Sequence, residues 1–360
     1  MKKIAIIIIS VLVTGCLKSD PLHLPFSSFE AIDMNDGLSV TGPAAENIDS
    51  LKLAAAYELA YSDPDLWSLR SLLVFRNNSL VSEAYLQDAD DINRQHLIWS
   101  STKQVMGILT GIAVDQEIIS SIDDPISRYL PSETADHPDK AGITIRQLLT
   151  MHSGIDFNND GLGGETFQLL AQIPDNMTEF ILARPMRNEP GTDFYYNDGD
   201  PHLLSAVIQA AVGKPTDEWA DEVLFSKIGM SNYSWIRYKD GTTKGGYGIE
   251  STPREIAKIA LCVANKGSYG GEQIVSSTWV DEMITPVAEA YWGYMFGFYW
   301  WIDTSRDIHF MAGHGGQFAF IVPSQSLIIV MSSIPNTQGA YQVIPDEAMV
   351  IVDEIIRACN

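Results

Sequence analysis

The sequence predicts a mixed α/β fold in which the two ends of the chain build one sheet-bearing part and the middle inserts an all-helical one. Three observations carry this. Segments of strand length rich in β-branched and aromatic residues stand near both ends, at 71–85 and again between 294 and 332. Between them, apolar residues recur at helical spacing and are broken by turn residues. An amphipathic stretch, 345–358, closes the chain. The sheet-bearing part is expected at about 48–105 and 245–360, and the helical part at about 106–244.

The N-terminus has the layout of a secretory signal. Lys2 and Lys3 precede an apolar stretch from Ile4 to Val13, and Val13-Thr14-Gly15-Cys16 follows as a cleavage pattern. That apolar core is too short to span a bilayer well. A cysteine directly after Gly15 resembles a lipobox, which implies removal of residues 1–15 and a lipid on Cys16. An ordinary signal peptide with an incidental cysteine is the alternative. Leu17, rather than Asp, resembles the sorting pattern of outer-membrane lipoproteins, so the expected location is the cell envelope, anchored in the membrane and facing the periplasm. Residues 16–47, rich in Pro, Ser, Asp and Gly, read as a tether, and 48–360 as the folded domain.

The net charge of -23 disfavours nucleic acid as a partner and would repel anionic membrane surfaces. Two cysteines remain beyond Cys16. Cys262 lies among Ile256, Ile259, Ala260 and Val263 at helical spacing and reads as a buried apolar residue. Whether it pairs with Cys359 stays open at this level.

Along the chain, 71–85 reads as two strands around a turn at Asn77-Asn78. Residues 102–115 read as a buried helix, in which Gly107 and Gly111 would let another element approach closely. Helices follow at 143–151, 203–212 and 216–225. Pro253 opens another through 265, at a first-turn position where its missing donor costs nothing. Strands are expected at 294–302, 309–311, 317–322 and 327–332.

The chemistry centres on Trp99-Ser100-Ser101-Thr102-Lys103. Ser100 at a helix start lies near the positive end of the helix dipole, which favours developing negative charge. Lys103 is one turn on and shares its face. Val105, Met106, Ile108 and Leu109 make the helix apolar, so Lys103 is expected to be desolvated and its pKa lowered towards that of a base. A helix-capping serine with a snorkelling lysine would give the same spacing. Two later segments favour a nucleophile. Pro190 to Asp200 is a turn-rich loop carrying Tyr196, whose phenol can relay a proton, and it feeds a helix expected from His202 or Leu203. Ala312-Gly313-His314-Gly315-Gly316-Gln317 precedes an apolar strand; its glycines allow close approach by a substrate, and its N–H groups could face an oxyanion.

In this order, the three segments resemble the serine β-lactamase and penicillin-binding-protein superfamily, and within it the class C-like branch of esterases and 6-aminohexanoate-dimer hydrolases. Leu148 to Gly154, the Tyr196 to Ser205 stretch, Gly246 to Gly267 and Trp300-Trp301 add to the likeness, which runs from Leu72 to Ile356. The resemblance implies an antiparallel sheet flanked by helices, with an inserted all-helical domain, β-lactamase/transpeptidase-like. It implies Ser100 as acylated nucleophile, Lys103 as base, Tyr196 as relay, and the N–H groups of Ser100 and Gln317 as oxyanion hole. His314, Gly315, Gly316 and Asp198 would border the substrate. His314 stands where β-lactamases carry a lysine, and Asp198 where many relatives have Asn. A mostly neutral imidazole and an added negative charge both argue against an anionic β-lactam and towards an ester or amide. A D-Ala-D-Ala carboxypeptidase or weak β-lactamase is the alternative enzyme, and a non-catalytic binding lipoprotein the alternative of another class.

No cofactor or metal is expected. Residues 156–161 match half of an EF-hand loop, but its twelfth position is Phe167 instead of Glu. There is no His-Glu-x-x-His helix and no Gly-x-Ser-x-Gly elbow. His309 and His314 read as separate residues.

Overall fold

A computed structural model describes residues 23–24, 26, 28–159, 174–335 and 343–359. The signal-like segment 1–15, Cys16, the first part of the expected tether and the Phe167 position lie outside the described residues. Within them, no helix is long and apolar enough to cross a membrane.

A nine-stranded sheet forms the centre. Its strands in chain order are β1 (Ser39–Val40), β2 (Leu69–Arg76), β3 (Ser79–Tyr85), β4 (Ala288–Glu289), β5 (Met295–Phe296), β6 (Trp301–Asp303), β7 (Ile308–Gly313), β8 (Gln317–Val322) and β9 (Leu327–Ser333). Across the sheet they run β1-β3-β2-β9-β8-β7-β6-β5-β4. Both ends of the chain thus meet at the β2–β9 pair. All pairs are antiparallel except β1 with β3, which are parallel. The β2–β3 hairpin turns at Asn77 and Asn78, both left-handed at φ 50° and 68°, as two Asn in a tight hairpin permit. The strand expected at 294–302 is two short ones instead, because the chain reverses at 297–300 and β5 and β6 pair antiparallel as a hairpin, with Gly297 N–H donating to Trp300 C=O at 2.9 Å.

Five helices matter for the site: α1 (Ser50–Ser62), α2 (Thr102–Asp115), α3 (Gly199–Val212), α4 (Pro253–Ala264) and α5 (Pro345–Ala358). Tyr57 of α1 donates its hydroxyl to Ser82 Oγ at 2.9 Å, whereas Arg254 of α4 grips the neighbouring Glu83 at 2.8 and 3.0 Å. Successive strand residues point to opposite faces, so α1 and α4 cover opposite sides of the sheet. The α1 helix also packs on α5, joined where Asp49 N–H donates to Ala358 C=O at 2.8 Å. The helical layer is centred on α3, which packs on α2 and on short helices at Ile145–Leu149 and Met177–Leu182. The helix expected over 216–225 is Thr216–Ala220 running into a π-turn at Asp221–Phe225.

Helix α2 is buried from Thr102 to Ala113, and the glycine spacing serves close approach. Trp279 donates its indole N–H to Gly107 C=O at 3.0 Å, and a Cβ on Gly111 would lie 2.2 Å from the same ring. Gly111→Ala is therefore expected to overpack a buried contact and lower stability by about 1–3 kcal/mol, read as a fall in denaturation midpoint. An unchanged midpoint would mean that Trp279 yields freely.

Part of the stretch read as a tether lies against the domain. Phe29 stacks on Tyr57 with centroids 4.9 Å apart, Leu38 is buried, and β1 extends the sheet edge. Arg254 holds this segment, bonding Asp36 at 2.8 Å and the Ile32 C=O at 2.5 Å while it pairs with Glu83. The composition of these residues is tether-like; the few apolar ones among them find the sheet. Cys262 in α4 and Cys359 after α5 are both buried free thiols. Burial pushes Cys262 up to about 12, where it is inert.

Candidate active site

Ser100 sits in a single 3-10 turn, Trp99–Ser101, that leads into α2. Trp99 adopts φ 51°, a left-handed backbone uncommon for a bulky residue. Ser101 Oγ fastens this turn to the sheet by donating to Gln317 C=O at 3.0 Å. Gly313, at the end of β7, makes the approach feasible, since a Cβ there would lie 2.1 Å from Ile98 C=O. The Ser100 hydroxyl caps no helix; it accepts from Lys103 Nζ at 2.9 Å.

Lys103 is fully buried. It also donates to Asp198 Oδ1 at 2.5 Å and to Gly246 C=O at 2.8 Å, and its Nζ stands 4.9 Å from the Tyr196 ring centroid. Here the sequence expectation is corrected. Burial does push the ammonium down, but Asp198 and then Tyr196 outweigh it and hold Lys103 above its ordinary value. The apolar helix signalled the desolvation and gave no sign of the partner carboxylate. The expected charge repulsion from Asp198 is corrected for the same reason: its carboxylate borders the pocket but is neutralised by Lys103.

Asp198 reaches Lys103 because α3 begins earlier than expected. The helix starts at Gly199 and takes Pro201 into its first turn, where a missing N–H costs nothing. Asn197 supplies the cap, its Oδ1 accepting from Asp200 N–H at 2.8 Å, and the Asp198 carboxylate turns towards α2. Asp198 N–H donates to Asn159 Oδ1 at 3.0 Å.

Deeper in the same turn, Asp200 is fully buried and accepts from Ser153 Oγ at 2.5 Å. Burial lifts its carboxyl to about 7. An unfolded Asp titrates near 4, so the folded state holds the proton more tightly. The stability this contributes is complete below about pH 4 and is lost as pH rises through 7. Asp200→Asn should flatten the slope: the fall in unfolding free energy between pH 5 and pH 8 shrinks by about 2–3 kcal/mol in denaturant titrations. Parallel slopes in the two proteins would refute this.

Above Ser100 opens a pocket of about 600 Å³. Trp99, Tyr196, Tyr247, Tyr291, Trp292 and Trp301 are among its walls, and no Lys or Arg is among its described lining residues. His314 and Gly315 also border it. The His314 ring stands edge-on to Trp99 with centroids 5.1 Å apart, and burial pushes its pKa down, so it is neutral at pH 7. Gly315 and Gly316 both have left-handed φ, 78° and 92°. Gly316 packs behind the pocket instead, where a Cβ would lie 2.7 Å from Ser333 Oγ. Gln317 turns its side chain away, donating Nε2–H to Ser333 C=O at 2.7 Å.

Sequence reading missed the support beneath Gly246. His202 Nδ1 faces Gly246 N–H at 3.3 Å, its Nε2 meets Tyr238 Oη at 3.0 Å, and Tyr238 meets Tyr247 Oη at 3.1 Å. Burial lowers His202 to about 3, so it stays neutral and its Nδ1 accepts. Gly245 was the available signal, since a Cβ on it would lie 2.0 Å from Pro201 C=O. Among the described residues, no group of acidic, His and Cys side chains could hold a metal ion.

Comparison with known proteins agrees with this architecture. The sequence profile of the Beta-lactamase family matches residues 71–348. A 6-aminohexanoate-dimer hydrolase of Paenarthrobacter ureafaciens is 24% identical over 227 residues, which are 59% of this chain and 56% of that protein. The chain thus spans little more than half of that relative's length. The crystal structure of a family VIII carboxylesterase superposes with a TM-score of 0.67 at 18% identity, covering 89% of this chain and 99% of the other. A penicillin binding protein from Bacillus halodurans gives 0.65 at 18% identity, covering 84% and 99%.

Proposed function

We propose, from the premise that this chain belongs to the Beta-lactamase family of serine hydrolases, that it cleaves an ester or amide with an uncharged, apolar acyl group through a Ser100 acyl-enzyme. The observation that carries the reading is the 2.9 Å contact of Lys103 Nζ with Ser100 Oγ at the base of an aromatic pocket.

In this mechanism Ser100 Oγ attacks the substrate carbonyl carbon as its proton moves to Lys103. The N–H groups of Ser100 and Gln317 take the developing oxyanion. Tyr196 relays the proton to the departing alcohol or amine, and the C–O or C–N bond breaks. Water then attacks the acyl-enzyme, and Ser100 regains its proton.

Substrate class follows from charge. A β-lactam or a peptide ending in D-Ala presents a carboxylate, and nothing cationic lines the described pocket to hold it. His314 is neutral where a lysine would clamp. A hydrogen bond to a charged group contributes about 1.5–3 kcal/mol, so its loss corresponds to at least about tenfold in kcat/KM. A short-chain aryl ester should therefore be turned over at least that much faster than a cephalosporin. Equal rates on purified protein would sink this reading.

For location, the signal-like N-terminus and Cys16 support a lipid anchor in the cell envelope. Incorporation of labelled palmitate by the wild type and its loss in Cys16→Ser is the expected result.

A further inference from the structure

We propose that Asp198 is the proton-holding partner of Lys103, the group that makes this lysine available as a base. The proposal rests on the Ser100 acyl-enzyme reading above. Lys103 Nζ donates three hydrogen bonds, to Ser100 Oγ at 2.9 Å, Gly246 C=O at 2.8 Å and Asp198 Oδ1 at 2.5 Å, with the Tyr196 ring beside it. An ammonium has three protons, and these acceptors take all of them. In that state Lys103 cannot receive the serine proton. One proton must first leave Nζ, and the Asp198 carboxylate is the nearest acceptor that can bind it; the Gly246 carbonyl cannot hold one.

The step balances. A proton moves from Nζ to Oδ1, turning the ion pair into a neutral amine and carboxylic acid. Ser100 O–H then gives its proton to Nζ as the Oγ–C bond forms and the carbonyl π electrons move to the oxyanion. Lys103 ends charged and Asp198 protonated. When the leaving group takes a proton through Tyr196 and Lys103, Asp198 returns its own to Nζ. Both side chains are almost wholly buried, where the ion pair loses much of its advantage over the neutral pair.

Few other groups around Asp198 change charge over the working range. His202 and His314 are held neutral by burial, and burial raises the hydroxyls of Tyr238 and Tyr247. Tyr196 lies on the same loop, and Lys244 stands over the Tyr238 and Tyr247 rings.

The two residues therefore titrate as a unit. The pair is competent once Asp198 is ionised, on the acid side, and stays so at high pH, where a Lys103 that has lost its proton is already the amine that accepts from Ser100. With Asn at 198, Lys103 keeps its burial and loses its counter-charge, so its pKa falls and it must be neutral before it can act. The test is the pH dependence of fluorophosphonate modification of Ser100, together with kcat/KM for an aryl ester, in wild type and Asp198→Asn. The expected result is an acid limb moved up by at least about two pH units in Asp198→Asn, about 100-fold slower at pH 6 and within tenfold of wild type at pH 9. A second variant, Asp198→Ala, guards against misfolding by Asn: formate should restore its rate at pH 6, because the small acid enters beside Lys103. A uniform loss at every pH, with no rescue by formate, overturns the proposal. Failure of wild type itself to be labelled would instead overturn the acyl-enzyme reading.

Discussion

Ser100→Ala is expected to abolish fluorophosphonate labelling and to lower hydrolysis of an aryl ester by about 10⁴–10⁶-fold, the range found when a nucleophile is removed from a machinery that acts as a unit. The fold should survive. The lost hydroxyl accepts a single hydrogen bond, from Lys103, which keeps Asp198 and Gly246 as partners. The free energy of unfolding should shift by no more than about 1 kcal/mol. Intact-mass spectrometry of wild type and variant after probe treatment, beside their melting curves, checks both parts. An adduct of equal yield on the alanine variant would place the nucleophile elsewhere and end the serine–lysine reading.

Replacement of Lys103 by Met has the second large effect, and it acts on stability as well as on rate. Activity should fall by about 10²–10⁴-fold, as expected for loss of general-base catalysis. The same change strands the Asp198 carboxylate in a site where its side chain is 3% exposed. Breaking a buried ion pair by removing one partner costs about 3–5 kcal/mol. An isolated buried carboxyl escapes by taking a proton, so its folded pKa rises above the unfolded value. The penalty is then small below about pH 4 and grows as pH increases. Denaturant titrations of Lys103→Met should therefore show a larger deficit at pH 8 than at pH 5. Adding Asp198→Asn removes the stranded charge and should recover most of the loss without recovering activity. Strictly additive losses in the double variant would show that the two groups do not depend on each other.

Much of the fold was legible because its signals are local. The α2 and α5 helices begin and end where apolar spacing and capping chemistry place them, at 102–115 and 345–358. The β2–β3 hairpin is written in its Asn-Asn turn, and β8 in an unbroken apolar run. The start of α3 was misread because Pro201 looks like a breaker, although a proline in the first turn breaks nothing. The hairpin turn at 297–300 was invisible because its residues are as apolar as the strands beside it. The charge state of Lys103 was the largest gap. Its partner lies 95 residues away in the chain, and the nearby sequence reports burial without reporting compensation. The aromatic pocket was equally non-local, since its walls come from five separate stretches near residues 99, 196, 247, 291 and 301.

The Arg254 cluster has a mechanical consequence. The chain before residue 40 is fastened at several points: His23 meets the Tyr61 and Leu69 carbonyls, Phe29 C=O accepts from Glu83 N–H, and the Arg254 guanidinium grips Glu83 on the sheet together with Asp36 and the Ile32 carbonyl in the strap. A pull on the N-terminus is therefore taken up at His23 and then at this clamp before it can reach α2 or the turn that carries Ser100. Force applied to the start of the chain is thereby kept out of the site's geometry until these contacts let go.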